Sequence, residues 1–305
     1  MSLDSQLNRL QIWLLAARPK TLPAAVSPVI VGSAAASFEG QFKLLPAMAA
    51  FFCALLLQIG ANLANDVFDF QRGADTTRRL GPLRVTQAGL LSPRQVLAGM
   101  WVCFGMAALL GGYLILVAGW PVLLIGLTSI LAAIAYTGGP FPLGYYGLGD
   151  LAVFIFFGPV AVCGTVYVQA LSVSSLAFWS SLPMGFLITA ILVVNNLRDI
   201  ETDRAAGKRT LAVRIGQSGT RWEYLLLVLA AYLVPLMMVF VGPGPDWLML
   251  SLGSVPMAFA ITRFVWSESG RALNRALAGT GQLTLMFGLL SARSCAEPAV
   301  ADDRV

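Results

Sequence analysis

The sequence predicts an all-α transmembrane bundle of about nine spans arranged as two related halves, on the strength of three observations. The 305-residue chain is 57% hydrophobic and only 11% charged, against roughly 25% charged residues in a soluble domain. Its charges are clumped. The 55 residues between Arg94 and Asp150 carry none, nor do the 47 between Asp150 and Arg198, and each stretch has room for two helices of ~20 residues across the hydrocarbon layer. An Asn-x-x-x-Asp pattern, Asn62 to Asp66 and Asn195 to Asp199, recurs after 133 residues at the end of a long apolar run.

The apolar runs divide at Gly, Pro and charged punctuation. The first span, 21–37, is short and interrupted by Pro23 and Pro28. The second, 44–64, runs into Asn62-Leu-Ala-Asn65-Asp66-Val-Phe-Asp69. Spans at 96–117 and 119–137 share the first uncharged stretch, and those at 151–170 and 175–196 share the second. The sixth runs into Asn195-Asn196-Leu-Arg198-Asp199-Ile-Glu-Thr-Asp203. The last three spans are 223–242, 246–266 and 276–292. The whole chain, 1–305, reads as one integral membrane domain with a disordered tail from about 293. The Ile12–Ala17 stretch is too short for the apolar region of a signal peptide, and no cleavage site follows it.

Basic residues orient the bundle. Nine spans with a cytoplasmic N-terminus place 17 of the 20 Lys and Arg inside, leaving Lys43, Arg293 and Arg304 outside. Both acidic clusters then face the cytoplasm, in a cell (inner) membrane. The net charge of +5 follows from this topology and from anionic head groups, so it is not a sign of nucleic-acid binding. No obligatory protein partner is evident.

Cys53, Cys103 and Cys163 lie in apolar spans, Cys295 lies in the tail, and no C-x-x-C spacing occurs. Packing thiols are therefore expected rather than a zinc or redox centre. The chain has no histidine, which excludes Ser-His and Cys-His catalysis. Chemistry is left to Asp, Glu, Asn, Tyr, Lys and Arg, whose oxygens suit a hard ion such as Mg2+.

If the second span stays helical through its end, Asn62, Asn65, Asp66 and Asp69 fall at i, i+3, i+4 and i+7, on one face. The same holds for Asn195, Asn196, Asp199 and Asp203. Four inward carboxylates repel one another unless a cation lies between them, and magnesium takes one or two carboxylates together with phosphate oxygens and water. Glycine-basic runs follow each cluster, Gln71-Arg72-Gly73-Ala74-Asp75 and Arg204-Ala-Ala-Gly207-Lys208-Arg209-Thr210, and Arg binds phosphate bidentately. Lys20, beside Arg18, lies at the same membrane face. The two loops, about 30 and 25 residues long, exceed ordinary helix connections and are expected to carry short capping helices. The 138–150 loop, rich in Gly, Pro and aromatics, suits a flat apolar ring. Together these features suit a divalent metal and a diphosphate whose apolar tail lies in lipid. A secondary transporter also uses intramembrane carboxylates, but near the midplane on broken helices.

These residues closely resemble the UbiA superfamily of intramembrane aromatic prenyltransferases. Its N-D-x-x-D signature is matched by Asn65, Asp66 and Asp69, and its D-x-x-x-D signature by Asp199 and Asp203, followed by Gly207 and Thr210. Within it the chain is most similar to the menaquinone-pathway branch, through Ala17–Pro23, Gly81–Gln87, Tyr136–Pro140 and Asn195–Arg204. Two positions depart from the wider pattern. Gly73 stands where many members have a third Asp, and Pro140 stands where many have a Lys four residues after the Tyr. The naphthoate branch shares the latter form.

The resemblance implies transfer of a polyprenyl group from a prenyl diphosphate to 1,4-dihydroxy-2-naphthoate, with loss of CO2 and diphosphate. A related acceptor such as 4-hydroxybenzoate is the alternative. It further implies metal binding by Asp66, Asp69, Asp199 and Asp203 and catalytic parts for Asp66, Asp199, Asn65 and Tyr136. Diphosphate binding falls to Asn62, Arg72, Asn196, Lys208, Arg209 and Lys20.

Overall fold

The computed structural model describes residues 7–74, 79–242 and 244–293. The tail expected beyond 293, with Cys295, and Asp75 and Arg78 of the first loop lie outside the described residues. Among those described there is no strand. The helices are α1 (Arg9–Ala17), α2 (Pro23–Phe38), α3 (Leu44–Gln71), α4 (Pro93–Ala118), α5 (Trp120–Ala135), α6 (Gly149–Ile155), α7 (Ala161–Ala170), α8 (Ser175–Ala205), α9 (Leu211–Phe240), α10 (Val255–Ser267) and α11 (Leu273–Arg293).

Six helical stretches are long and apolar enough to cross a membrane, and a seventh arises if α1 and α2, bent by 54°, count as one. That is fewer than the nine read from the sequence. The shortfall has physical causes. α5 has only 16 residues, and α11 is diluted by Thr280, Gln282 and Thr284. The outer faces carry Leu109, Leu116, Trp120 and Phe240, each at least 70% exposed. Such a surface is stable against acyl chains and unstable against water. The molecule is an integral membrane protein.

The two longest helices position the site. α3 has 28 residues and α8 has 31, so at 1.5 Å per residue they span about 42 and 46 Å. The hydrocarbon layer is ~30 Å thick. Their final turns, which carry the acids, therefore reach beyond the apolar layer. α3 ends where Gly73 turns left-handed and the amide of Ala74 bonds the Asp69 carbonyl. α8 ends in the same way at Gly207, with the amide of Lys208 bonding the Asp203 carbonyl. Both are glycine-terminated caps. Because the helices run on, the second connection shrinks to residues 206–210, and no capping helix stands there. The first connection, 72–92, carries turns but no helix among its described residues.

α3 packs on α4, α8 on α9, and α11 against both α2 and α8. The α8–α9–α11 layers bury Leu187, Val194, Tyr224, Leu283 and Phe287. α3 and α4 bury Leu63, Val67, Met100 and Phe104. Between α6 and α7 the chain makes a π-helical turn, Phe156–Val160, around Pro159. Here a Cβ on Gly158 would meet the Gly185 Cα at 2.9 Å, so the paired glycines let this broken helix lie directly on α8.

Candidate active site

The end of α3 braces several separate segments. Asn62 donates to the carbonyl of Ala17 at 3.0 Å and to Thr21 Oγ1 at 2.9 Å. Asn65 Oδ1 accepts from the Thr137 hydroxyl at 2.9 Å. Asp66, almost wholly buried, accepts the amides of Val85 and Thr86 at 3.2 and 3.1 Å, with Arg18 at 3.8 Å. Asp69 accepts from Arg84 at 2.9 Å, the Tyr145 hydroxyl at 2.7 Å and Lys208 at 3.2 Å. The predicted helical face exists, but its members point at different partners.

The second cluster is organised around a buried guanidinium. Arg198, whose side chain is fully buried, grips both oxygens of Asp199 at 2.8 and 2.5 Å. It also donates to Asn195 and Asn274, each at 2.7 Å. Asn274 in turn donates to the Leu80 carbonyl at 3.0 Å, tying α11 and the first loop to this pair. The two clusters meet at Lys208, whose Nζ lies 3.2 Å from Asp69 and 3.7 Å from Asp203. Lys208 also stands 4.7 Å over the Tyr145 ring, and Arg72 stands 5.3 Å from the same ring. Lys208 thus places a positive charge between carboxylates of the two clusters.

Both clusters open into a cavity of about 590 Å³. Its polar mouth is lined by Arg18, Gln58, Asn62, Asn65, Asp69, Arg79, Arg84, Tyr136, Tyr145, Asn196, Asp199, Asp203 and Lys208. Its depth is lined by small and aliphatic side chains, among them Ala50, Cys53, Ala54, Ala108, Gly111, Leu114, Gly126, Gly164 and Val168. Since Ala50 and Asp69 lie on one helix, the chamber extends about 28 Å along α3.

The sequence expectations divide accordingly. Asn62, Asn65, Asp69, Asn196, Asp199, Asp203, Tyr136 and Lys208 all line the cavity. Asp66 does not, because its oxygens are turned to the 85–86 turn. Lys20 and Arg209 are exposed and outside the lining, and Arg72 is exposed and donates to the Gly139 carbonyl. Sequence reasoning passed over Arg84, Arg79, Tyr145, Arg198, Asn274 and Gln58 as site residues. Arg84 stands in the Gly81–Gln87 stretch and Arg198 inside the second motif, so position was the available signal. Gln58 had none. It donates weakly to Thr21 at 3.4 Å, and its buried Oε1 has no hydrogen-bond partner among the described residues.

Among the described residues no three acidic or thiol side chains converge into a protein-only metal cage. A magnesium ion needs no such cage, since it keeps waters and substrate phosphate oxygens alongside one or two carboxylates. Asp69 and Asp203, within reach of one ammonium, offer the carboxylate oxygens that pattern needs.

A membrane helix bundle with carboxylates and cations at the mouth of a long apolar chamber defines an enzyme class that handles an amphiphile with a charged head. The UbiA prenyltransferase family model matches residues 25–288, and the chain belongs to that family. It is 40% identical to the 1,4-dihydroxy-2-naphthoate octaprenyltransferase of Mycobacterium tuberculosis, over 93% of this chain and 96% of that protein. Against the Escherichia coli enzyme of the same name, identity is 38%, over 87% of this chain and 88% of that protein. The fold matches a UbiA homologue from Archaeoglobus fulgidus bound to DMAPP and Mg2+, with a TM-score of 0.68 at 13% identity. That match covers 93% of this chain and 98% of that one.

Proposed function

We propose that this protein transfers a polyprenyl group from a prenyl diphosphate to 1,4-dihydroxy-2-naphthoate, releasing CO2 and diphosphate and giving a demethylmenaquinol. The observation that carries this reading is the bridging of two acid clusters at the polar mouth of a ~28 Å apolar chamber, in a chain closely similar to enzymes named for that reaction.

Mg2+ held by Asp69 and Asp203, with Asp199 alongside, would neutralise charge developing on the departing diphosphate. Arg84 and Arg79 present fixed positive charge to the same oxygens, and Lys208 turns its ammonium toward them. Such preorganised charge acts most strongly in a site shielded from water. The chamber along α3 and α4 holds the tail and keeps water from the allylic cation. Tyr136 and Tyr145, both in the cavity lining, offer ring faces to that cation. Gln58 Oε1 is an acceptor for a phenolic hydroxyl of the incoming ring. Asp66 is assigned a positioning part, since it anchors the turn that bears Arg84. The ring carbon that bears the carboxylate attacks, and loss of CO2 restores aromaticity.

The membrane setting has an energetic reason. At about 0.8 kcal/mol per CH2, drawing a long prenyl tail into water would cost tens of kcal/mol. In this reading α2–α5, the joined α6–α7, and α8–α11 make nine spans in two related halves. The N-terminus and both acid clusters lie on the cytoplasmic side of the cell membrane.

The test is direct. Purified protein, a prenyl diphosphate and magnesium should convert dihydroxynaphthoate, and EDTA should abolish turnover until magnesium is restored. Conversion of 4-hydroxybenzoate instead would move the assignment to that acceptor, and transfer to neither would remove it.

A further inference from the structure

We propose that Lys208 is a tethered counter-cation that occupies the divalent-metal position until a diphosphate draws it away, so that metal and prenyl diphosphate load together. The inference rests on the reading that the acid clusters hold a metal–diphosphate pair.

Lys208 reaches carboxylates from both halves, at 3.2 Å from Asp69 and 3.7 Å from Asp203. A magnesium ion held by those carboxylates would compete with the ammonium for the same oxygens. The rest of the site makes the exchange possible. Asp69 keeps Arg84 and the Tyr145 hydroxyl when Lys208 leaves, so it is not stranded.

The backbone of Lys208 is pinned. Gly207, at φ +73°, reverses the chain, and the Lys208 amide bonds the Asp203 carbonyl at 2.9 Å. Only the flexible four-carbon stem needs to move, and it already lines the cavity mouth. The Tyr145 ring, 4.7 Å from Nζ, supplies a cation–π hold on the resting position. Diphosphate oxygens arriving at the mouth offer the ammonium a better partner, and the vacated carboxylates then accept the metal. Without diphosphate the site resists metal, which keeps a bare Mg2+ from locking the acids in an unproductive arrangement.

The experiment measures Mn2+ binding by electron paramagnetic resonance on detergent-solubilised wild type, K208M, K208Q and K208R, with no turnover required. Without prenyl substrate, wild type and K208R should bind Mn2+ weakly, and K208M at least ~10-fold more tightly, equivalent to about 1.4 kcal/mol. With geranyl S-thiolodiphosphate, which ionises slowly, wild type should gain Mn2+ affinity by a similar factor, while K208M gains little. K208Q supplies the neutral variant should K208M not fold. Equal Mn2+ affinity of wild type and the neutral variants without diphosphate would overturn the inference. If they all still bound Mn2+ with the analogue, the metal–diphosphate reading would survive it. Wild type that takes up no Mn2+ even with the analogue would overturn both.

Discussion

At the scale of single residues, the two aspartates of the first motif have opposite surroundings and should fail differently. Asp66 accepts two backbone amides, so Asp66→Asn turns a donor toward one of them and loosens the Val85–Thr86 turn. We expect a stability loss of about 1–3 kcal/mol, read as a lower Tm in detergent, together with at least ~100-fold lower turnover through the displaced Arg84, equivalent to about 2.7 kcal/mol. Asp203 pairs with Lys208 at 3.7 Å, a looser contact than the amide bonds of Asp66, so Asp203→Asn should lose turnover with Tm nearly unchanged. A D66N protein with wild-type Tm would show that the amide pair does not anchor the turn. Gln58→Leu should raise KM for dihydroxynaphthoate ~10-fold, or about 1.4 kcal/mol, and leave KM for the prenyl diphosphate alone. Equal effects on both constants would remove Gln58 from the acceptor side. The acids of this site were legible because carboxylates at the end of apolar runs need a reason to be there. Their partners were not. Arg84 meets Asp69 across 15 residues and Asn274 meets Arg198 across 76, and a hydrophobicity pattern carries no record of such pairings.

At the scale of elements, the long apolar runs declared their helices, but not where those helices end or break. α3 and α8 run past the span ends at 64 and 196 because the caps at Gly73 and Gly207 come later, and the polar residues before them are held by tertiary bonds. The bend at Leu22 and the π-helical turn around Pro159 follow from prolines whose consequences depend on neighbours the sequence does not show. Gly207 offers a test of the α8 cap. Its φ of +73° costs an L-residue roughly 1–2 kcal/mol, and no atom blocks a Cβ there. Gly207→Ala should therefore lower Tm modestly but swing Lys208 off its bridge. The larger effect should appear in KM for prenyl diphosphate, while kcat at saturation should change less. A variant with lowered Tm and unaltered KM would separate the cap from the site.

At the scale of the whole molecule, the membrane class and the meeting of two repeated motifs were legible, because nothing but lipid accommodates so uncharged a chain. The chamber was not, since its wall is a set of small residues on different helices, each of which reads alone as ordinary packing. Gly111 of α4 lines the chamber, and a Cβ there meets no atom within 4 Å. Gly111→Phe should then fill the deep end without disturbing the mouth or the bundle. We expect turnover with geranyl diphosphate close to wild type, and a rise in KM for a diphosphate of eight isoprene units of at least ~10-fold, or about 1.4 kcal/mol. Competition between the two donors in one reaction, read by product mass, gives the ratio directly. Loss of both donors alike would mean that the substitution damages the bundle, which Tm would reveal. An unchanged ratio in a stable variant would place the tail elsewhere, along the lipid-facing surface rather than inside the chamber.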